Sequence, residues 1–255
     1  MREDNGAIRA AIITQQAAVG VPLLLEELLK RRADSIVTVF IADHPQARGP
    51  LATLRRWTGR LDPLSFLCYG VSHVAVKLSV TGPRRVARRY AVEVERVREI
   101  NAAEFHERLR KLQIDLLISA ACPQIFGAEL LALPPLGCLN VHSGPLPRYR
   151  GMLPTFWALY RGEQATAVTV HVMNERLDDG PIVLQETVAI REGETQAHLM
   201  RRCKSAGGRL LARTIDLLEL DAVELRENPR EEATYYSFPT PRQARDFRRG
   251  GGRWR

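Results

Sequence analysis

Ala7-Ile-Arg-Ala-Ala-Ile-Ile-Thr14, Val21-Pro-Leu-Leu-Leu-Glu-Glu-Leu-Leu-Lys-Arg-Arg32 and Ser35-Ile-Val-Thr-Val-Phe-Ile41 follow one another near the start of the chain. The first and third are apolar runs rich in branched side chains, as strands buried on both faces are. The middle one places Leu24, Leu25, Leu28 and Leu29 on one face at helical spacing and crowds its charges on the other. Strand, helix, strand in this order predicts a right-handed crossover and hence a parallel sheet.

The same beat is expected downstream. A short strand is read at Ala91–Val97, a helix at Ala102–Leu112 entered through Asn101, and a buried strand at Ile114–Ala120. A helix at Ala128–Leu133 stops at Pro134 and Pro135, a strand follows at Cys138–His142, and a Gly/Pro-punctuated loop fills Ser143–Gly151. Thr155–Arg161 reads as a helix, Ala165–Met173 and Ile182–Ile190 as strands, and Thr195–Leu220 as a long amphipathic helix with its stripe at Leu199, Ala206, Leu210, Ile215 and Leu218. Arg48–Arg89, with Pro50, Pro63, Pro83 and an apolar patch at Leu64–Val76 able to form a helix, is read as an insertion or lid. The division expected is a main domain over residues 1–220 and a short extension over 221–255. In the extension, Asp221–Tyr236 suggests a strand pair and Thr240–Arg255 an arginine-rich tail mostly without pattern.

With 255 residues, 45% of them hydrophobic, the chain has material for a substantial core. Met1–Gly6 is polar and carries acids, and no apolar run reaches the ~18 residues that a membrane span needs. A soluble cytoplasmic protein is expected. Cys68, Cys122, Cys138 and Cys203 lie far apart, without metal-ligand spacing, and read as free thiols in a reducing compartment, with no metal site. The net charge of +8 suits an anionic partner, yet the basic runs at Lys30–Arg32, Arg84–Arg89 and Arg242–Arg255 lack the interleaved aromatics that stack on bases. A solvated basic face explains them as well.

Chemistry concentrates in Leu136-Gly-Cys-Leu-Asn140-Val-His142-Ser-Gly-Pro-Leu-Pro-Arg-Tyr-Arg-Gly151. Period two puts Asn140 and His142 on one side of a strand, at the carboxyl end where open α/β sheets bind ligands. Two hydrogen-bond donors aimed at one oxygen suit acyl or formyl transfer, whose transition state develops an oxyanion. Asn140 as a loop cap and His142 in an ordinary backbone hydrogen bond are the alternatives. Asp178, in Arg176-Leu-Asp-Asp-Gly-Pro181, sits in a loop able to return to the same site, where a carboxylate would raise the imidazole pKa and relay a proton; a plain turn residue is the alternative.

Asn140 through Gly151, followed by Val168-Thr-Val-His171 and Leu177-Asp178-Asp-Gly180-Pro181, resembles the folate-dependent formyltransferase family, which includes glycinamide ribonucleotide, methionyl-tRNA and nucleotide-sugar formyltransferases. The similarity runs over Ala7–Leu220 and is strongest over Ile114–Ile190. It implies a Rossmann-like formyltransferase fold, α/β with a mainly parallel twisted sheet flanked by helices, and 10-formyltetrahydrofolate as donor. Asn140 would hold the formyl oxygen, His142 would stabilise the oxyanion as an imidazolium, and Asp178 would orient it and shuttle protons. The donor pocket would be lined by Ala121, Cys122, Pro123, Gln124, Ile125 and Phe126 on one side and by Val172, Met173, Asn174 and Leu177 on the other. His171 matches a histidine found in some members and reads equally well as structural.

Two departures bear on the acceptor. The turn Gln15–Gly20 holds one glycine where the purine branch has a glycine-rich phosphate cradle, and about 35 residues follow Leu220 where the tRNA branch carries a sizeable domain. The resemblance therefore favours a small, anionic amine, an amino sugar or an amino-acid-derived metabolite, with methionyl-tRNA ranked below it. Hydrolysis of the formyl donor is the alternative within the fold. A basic nucleic-acid-binding module is the alternative outside it, and it would lose binding steeply between ~50 and ~200 mM salt.

Overall fold

The computed structural model describes residues 7–16, 20–45 and 82–254. The expected insertion falls mostly outside them, together with Cys68 and the apolar patch at 64–76; its described end forms a helix.

The chain begins in the middle of its sheet. Strand β1 (Ala10–Thr14) is buried at every position and lies between β2 (Ile36–Ala42) and a later strand, β4 (Leu116–Ser119), both parallel to it, with Ile12 opposite Val39 on one side and Ile118 on the other. Beyond β2 lies β3 (Glu93–Val97), and beyond β4 lies β5 (Cys138–His142), also parallel. The order β3-β2-β1-β4-β5 reverses at β1, the topological switch that opens a crevice at the strand ends. Two more strands, β7 (Ala165–Val172) and β8 (Ile182–Ala189), complete a seven-stranded sheet. β7 runs antiparallel to both its neighbours, setting Asn140 directly opposite His171.

One face of the sheet is covered by α1 (Val21–Arg32), α2 (Pro83–Arg89) and α6 (Gln196–Glu219), whose leucines and valines meet Leu139, Val141, Val168 and Val170. The other carries α3 (Ala103–Lys111) and α4 (Ala128–Ala132), packed over Ala11, Ile13, Phe40, Leu117 and Cys138. Leu139 and Val141 thus point one way and Cys138 the other, and strand alternation puts Asn140 and His142 on the Cys138 side.

α1 starts with Pro22 in its first turn, where a missing N–H costs nothing, and ends on Lys30, Arg31 and Arg32, which suit the negative end of the helix dipole. Arg32 then bridges to Asp216 and Glu219 of α6, at 2.5 Å each. A Gly-Gly pair inside α6 costs roughly 1 kcal/mol per residue in helix propensity. Packing explains it, because a Cβ on Gly208 would lie 2.2 Å from the Leu24 carbonyl and one on Gly207 would lie 2.9 Å from Val141. The paired glycines let α6 press against both α1 and the strand that bears Asn140 and His142.

The stretch after α6 departs from expectation. In place of a strand pair, Arg226 makes an isolated bridge to Ile182, and β9 (Tyr235–Tyr236) pairs with β6 (Arg150–Gly151) in a separate two-stranded ribbon. The tail expected to lack pattern contains α7 (Pro241–Arg249). It opens on a capping box in which Thr240 Oγ1 accepts from the Gln243 N–H while Gln243 Oε1 accepts from the Thr240 N–H at 2.8 Å. Phe247 and Trp254 are buried with Tyr149, Phe156 and Trp157, so the tail is docked on α5 (Pro154–Tyr160).

Among the described residues no helix is long and apolar enough to cross a membrane, and no group of three or more His, Cys, Asp or Glu is placed to hold a metal. Burial pushes the thiols of Cys122, Cys138 and Cys203 up to about 12.

Candidate active site

The three expected residues meet beside β5, with His142 and Asp178 buried. The loop between β7 and β8 folds back so that Asp178 Oδ1 accepts from Asn140 Nδ2 at 3.3 Å and Asp178 Oδ2 lies 3.5 Å from His142 Nδ1. His142 Nε2 donates to the Tyr149 carbonyl at 2.8 Å. His171, opposite Asn140 in the ladder, donates from Nδ1 to the Val172 carbonyl at 2.9 Å and so presents its Nε2 lone pair to Asn140 Nδ2, 3.1 Å away. The histidine that the sequence leaves between a structural and a functional reading therefore belongs to the cluster. Its place follows from the register of β5 and β7.

Asp178 has a left-handed backbone, φ +53°, a conformation that an aspartate adopts more readily than most side chains. Its Oδ2 also accepts from the Gly151 N–H at 2.8 Å. Gly151 is required there by its own φ of +96° and by space, since a Cβ would come within 2.2 Å of the Tyr236 carbonyl. The β6–β9 ribbon thus aims one backbone N–H at the carboxylate.

Burial disfavours the Asp178 carboxylate, but His142, His171 and the Gly151 N–H together outweigh it and hold the group below the usual carboxylate range. His142 departs from expectation. Burial pulls its pKa down, with smaller pushes from His171 and Lys204, and this exceeds the lift from Asp178 and the Tyr149 carbonyl. An imidazolium would hold Asp178 more strongly than a neutral ring does, so the two directions pull against each other. The ionised Asp178 is the firmer of the two, because its Gly151 and Asn140 donors do not titrate. In the free protein His142 is a neutral ring poised beside a carboxylate, ready to gain charge when an anion develops next to it.

The expected donor loops divide. Gln124 and Phe126 turn their side chains inward: the Gln124 amide accepts from the Ile100 N–H and donates to the Asp43 and Arg98 carbonyls, and Phe126 packs into the core with Leu130. They leave their backbone, not their side chains, to any pocket. Ala121, with φ +60°, offers its carbonyl to Gln15 Nε2, tying the ends of β1 and β4 together at the switch point. Cys122 and Pro123 are half-buried and Ile125 is 81% exposed. Across the site, Val172 and Met173 pack partly against the core, Asn174 Oδ1 accepts from the Arg176 N–H, and Leu177 is exposed beside Asp178. Leu177 and Met152, which follows Gly151, are exposed apolar residues next in sequence to members of the polar cluster.

A cleft of about 740 Å³ lies elsewhere, lined by Tyr160, Glu163, Arg191, Asp246 and Phe247. It holds none of the converging groups, so the site is recognised by its donors and its carboxylate and not by concavity.

The sequence pointed to Asn140, His142 and Asp178. It did not reveal the ring behind them. Asp179 forms a buried ion pair with Arg150 and a second with Arg230 at 2.8 Å, and Asn228 bridges Arg150 to the Asp178 loop. These contacts join residues far apart in the chain, and no local spacing announces them.

Comparison with known proteins bears on the family and the fold. The formyl transferase family profile matches residues 72–215, more than half of the chain. Curated relatives include the methionyl-tRNA formyltransferases of Thermotoga maritima, 35% identical over 212 residues that make up 83% of this chain and 59% of the relative. That of Kosmotoga olearia is 34% identical over 62% of this chain and 51% of its own, and that of Syntrophus aciditrophicus is 42% identical over 56% and 46%. The chain spans about half the length of the curated relatives it matches. Among solved structures, glycinamide ribonucleotide transformylase 1 from Symbiobacterium toebii superposes with a TM-score of 0.62 at 20% identity, covering 87% of this chain and 95% of that one. A sugar N-formyltransferase from a Shewanella species superposes with a TM-score of 0.58 at 20% identity, covering 90% and 76%.

Proposed function

This chain belongs to the formyl transferase family, and on that premise we propose that it carries a formyl group from 10-formyltetrahydrofolate to the amine of an anionic acceptor, with Asn140, His142 and Asp178 as its catalytic residues. The observation that carries this reading is the convergence of an amide donor, at 3.3 Å, and an imidazole, at 3.5 Å, on one ionised carboxylate beside β5.

Each residue has a task that follows from its surroundings. Asn140 directs at the formyl oxygen an amide hydrogen that Asp178 Oδ1 or His171 Nε2 holds in the free protein, and His142 offers its Nε2–H in competition with the Tyr149 carbonyl. As the neutral amine adds to the formyl carbon, the carbonyl electron pair moves onto that oxygen. The new negative charge favours the protonated state of His142, and Asp178 holds the ring through Nδ1. The proton lost by the amine returns to the folate nitrogen as the old carbon–nitrogen bond breaks, so the products are a formamide and tetrahydrofolate. The exposed apolar side chains of Leu177 and Met152 suit the flat faces of the donor, and the backbone of residues 121–126 is the other wall of its pocket. In this reading residues 1–220 carry the chemistry and 221–255 brace it.

The acceptor is anionic, in keeping with the net charge of +8. A small amine, an amino sugar or amino-acid-derived metabolite, is the reading favoured by family likeness, and the single glycine in the Gln15–Gly20 turn disfavours the purine-pathway amine within that class. The methionyl-tRNA reading is favoured by the names of the curated relatives. Incubating the protein and 10-formyltetrahydrofolate with amino-sugar nucleotides, amino-acid-derived amines and methionyl-tRNA in turn, and reading formylated product by mass, separates them. A formylated small amine is the expected result, formylation of the tRNA alone would replace it with the second reading, and free formate alone would make the protein a hydrolase. Loss of neither formyl donor nor acceptor under any pairing would overturn formyl transfer itself.

A further inference from the structure

We propose that Asn228, reaching in from the stretch after α6, is a positioning residue that fixes the Asp178 carboxylate against His142. The inference rests on the formyl-transfer reading for its catalytic meaning, but its geometry stands on its own.

Asn228 Nδ2 donates to the carbonyls of Asp178 at 3.0 Å and Gly180 at 2.9 Å, so one amide clasps both sides of the turn that carries the carboxylate. The clasp is itself held. Arg150 Nη2 donates to Asn228 Oδ1 at 2.9 Å and to its carbonyl at 3.0 Å, while Arg150 Nη1 pairs with buried Asp179, which Arg230 also engages. Arg150 and Gly151 are the two residues of β6, so the strand that anchors Asn228 also supplies the N–H to Asp178 Oδ2. The ring closes through the β9 side: the Arg150 N–H donates to the Thr234 carbonyl and the Met152 N–H to the Tyr236 carbonyl. Asp178 sits at a left-handed φ in a loop that needs such support, and Asn228 holds the Asp178 carbonyl and that of Gly180 through one side chain.

The consequence is readable at His142. The charged or titratable groups facing it are Asp178 from the β7–β8 loop, His171 from β7 and Lys204 from α6; Asp178 lifts its pKa, while the other two lower it. Tyr235 of β9 lies near enough to Asp178 to feel its charge. If Asn228 no longer clasps the turn, the carboxylate recedes and its lift weakens, so the His142 pKa falls.

The test is the ring titration of His142 followed by NMR in the full chain, for wild type and Asn228→Ala, with no folate present. An opposite charge within ~4–6 Å is worth ~1–3 units, so a partial withdrawal should lower the His142 midpoint by about 0.5 unit or more. In parallel, kcat for formyl transfer should fall about 10-fold with KM for the donor nearly unchanged, because a displaced group costs rate and not binding. Should Asn228→Ala fail to fold, Asn228→Gln, which keeps the amide but moves it by one methylene, should lower the midpoint in the same direction. An unchanged His142 midpoint in a folded variant would overturn the proposal, whatever the activity shows. Absence of formyl transfer in wild type would overturn the functional reading while leaving the titration as a test of the clasp.

Discussion

Asp178→Asn is expected to leave a folded protein whose kcat for formyl transfer is lower by about 10²–10³-fold, the scale of losing one preorganised contact to a developing oxyanion. The side chains are nearly the same size, so the effect is one of charge and hydrogen-bond polarity. Asp178 Oδ2 accepts from Gly151 and Oδ1 from Asn140, and an amide has only one acceptor atom. Whichever way it turns, its NH₂ group meets an N–H donor. The variant also loses the charge that favours a protonated His142 in the transition state. A stability signature accompanies this. Asp178 has a depressed folded pKa, so its favourable contribution is complete above the unfolded aspartate value of ~4 and fades as pH falls through the folded value. Wild type should therefore exceed the variant in stability most at neutral pH, and the gap should narrow under acid. A variant with near-normal turnover would remove Asp178 from the mechanism.

Phe156→Ala is expected to give the largest stability loss of any single core truncation in the C-terminal half, about 3–5 kcal/mol. Phe156 is fully buried and stacks on Trp254 at 4.9 Å between ring centroids, with Phe247 at 5.0 Å, Trp157 at 5.1 Å and Tyr160 at 5.7 Å. Truncation leaves four aromatic rings around a cavity and removes the seat of α7. For a chain of this size each kcal/mol lowers Tm by ~2–4 °C, so a fall of about 10 °C is expected in thermal unfolding. A change of under 1 kcal/mol in chemical denaturation would show that the tail does not depend on this contact. The prediction rests on a tail that is expected from sequence to be mostly without pattern and that is instead docked on α5.

The helix in the tail escaped notice where the α/β core did not, and the cause is physical. The opening strand, helix and strand were legible because their apolar residues recur at the period of the element that buries them. Arg242 to Arg249 is dominated by charge, and its two buried residues, Ala244 and Phe247, make too short a stripe to stand out. A local signal was present all the same, since Thr240-Pro-Arg-Gln243 is a capping box with proline at the first helical position. The expected strand pair at 221–236 failed for another reason: its partners, Arg150–Gly151 and Ile182, lie dozens of residues away, and pairing across such distance leaves no periodic trace.

The site divides along the same line. Asn140 and His142 were legible because period two is a local rule, and Asp178 because its loop carries a recognisable motif. The engagement of His171 depends on the β5–β7 register, and the clasp of Asn228 depends on a ring of contacts from three separate stretches. The expected lift in the His142 pKa was half right: Asp178 does push it up, but the sequence does not show how deeply the ring is buried. Gln124 and Phe126 were read as pocket lining from matched position, and the core claims their side chains while leaving their backbone to the pocket.

The central claim is that Asn140 and its neighbours form the seat of a folate-borne formyl group, and calorimetric titration of the full chain with a non-reactive 10-formyltetrahydrofolate analogue tests it most directly. Wild type should bind with micromolar affinity, and Asn140→Ala should bind about 10-fold more weakly, the equivalent of one hydrogen bond to the formyl oxygen. Absence of heat from the wild type, or identical affinity in the variant, would contradict it.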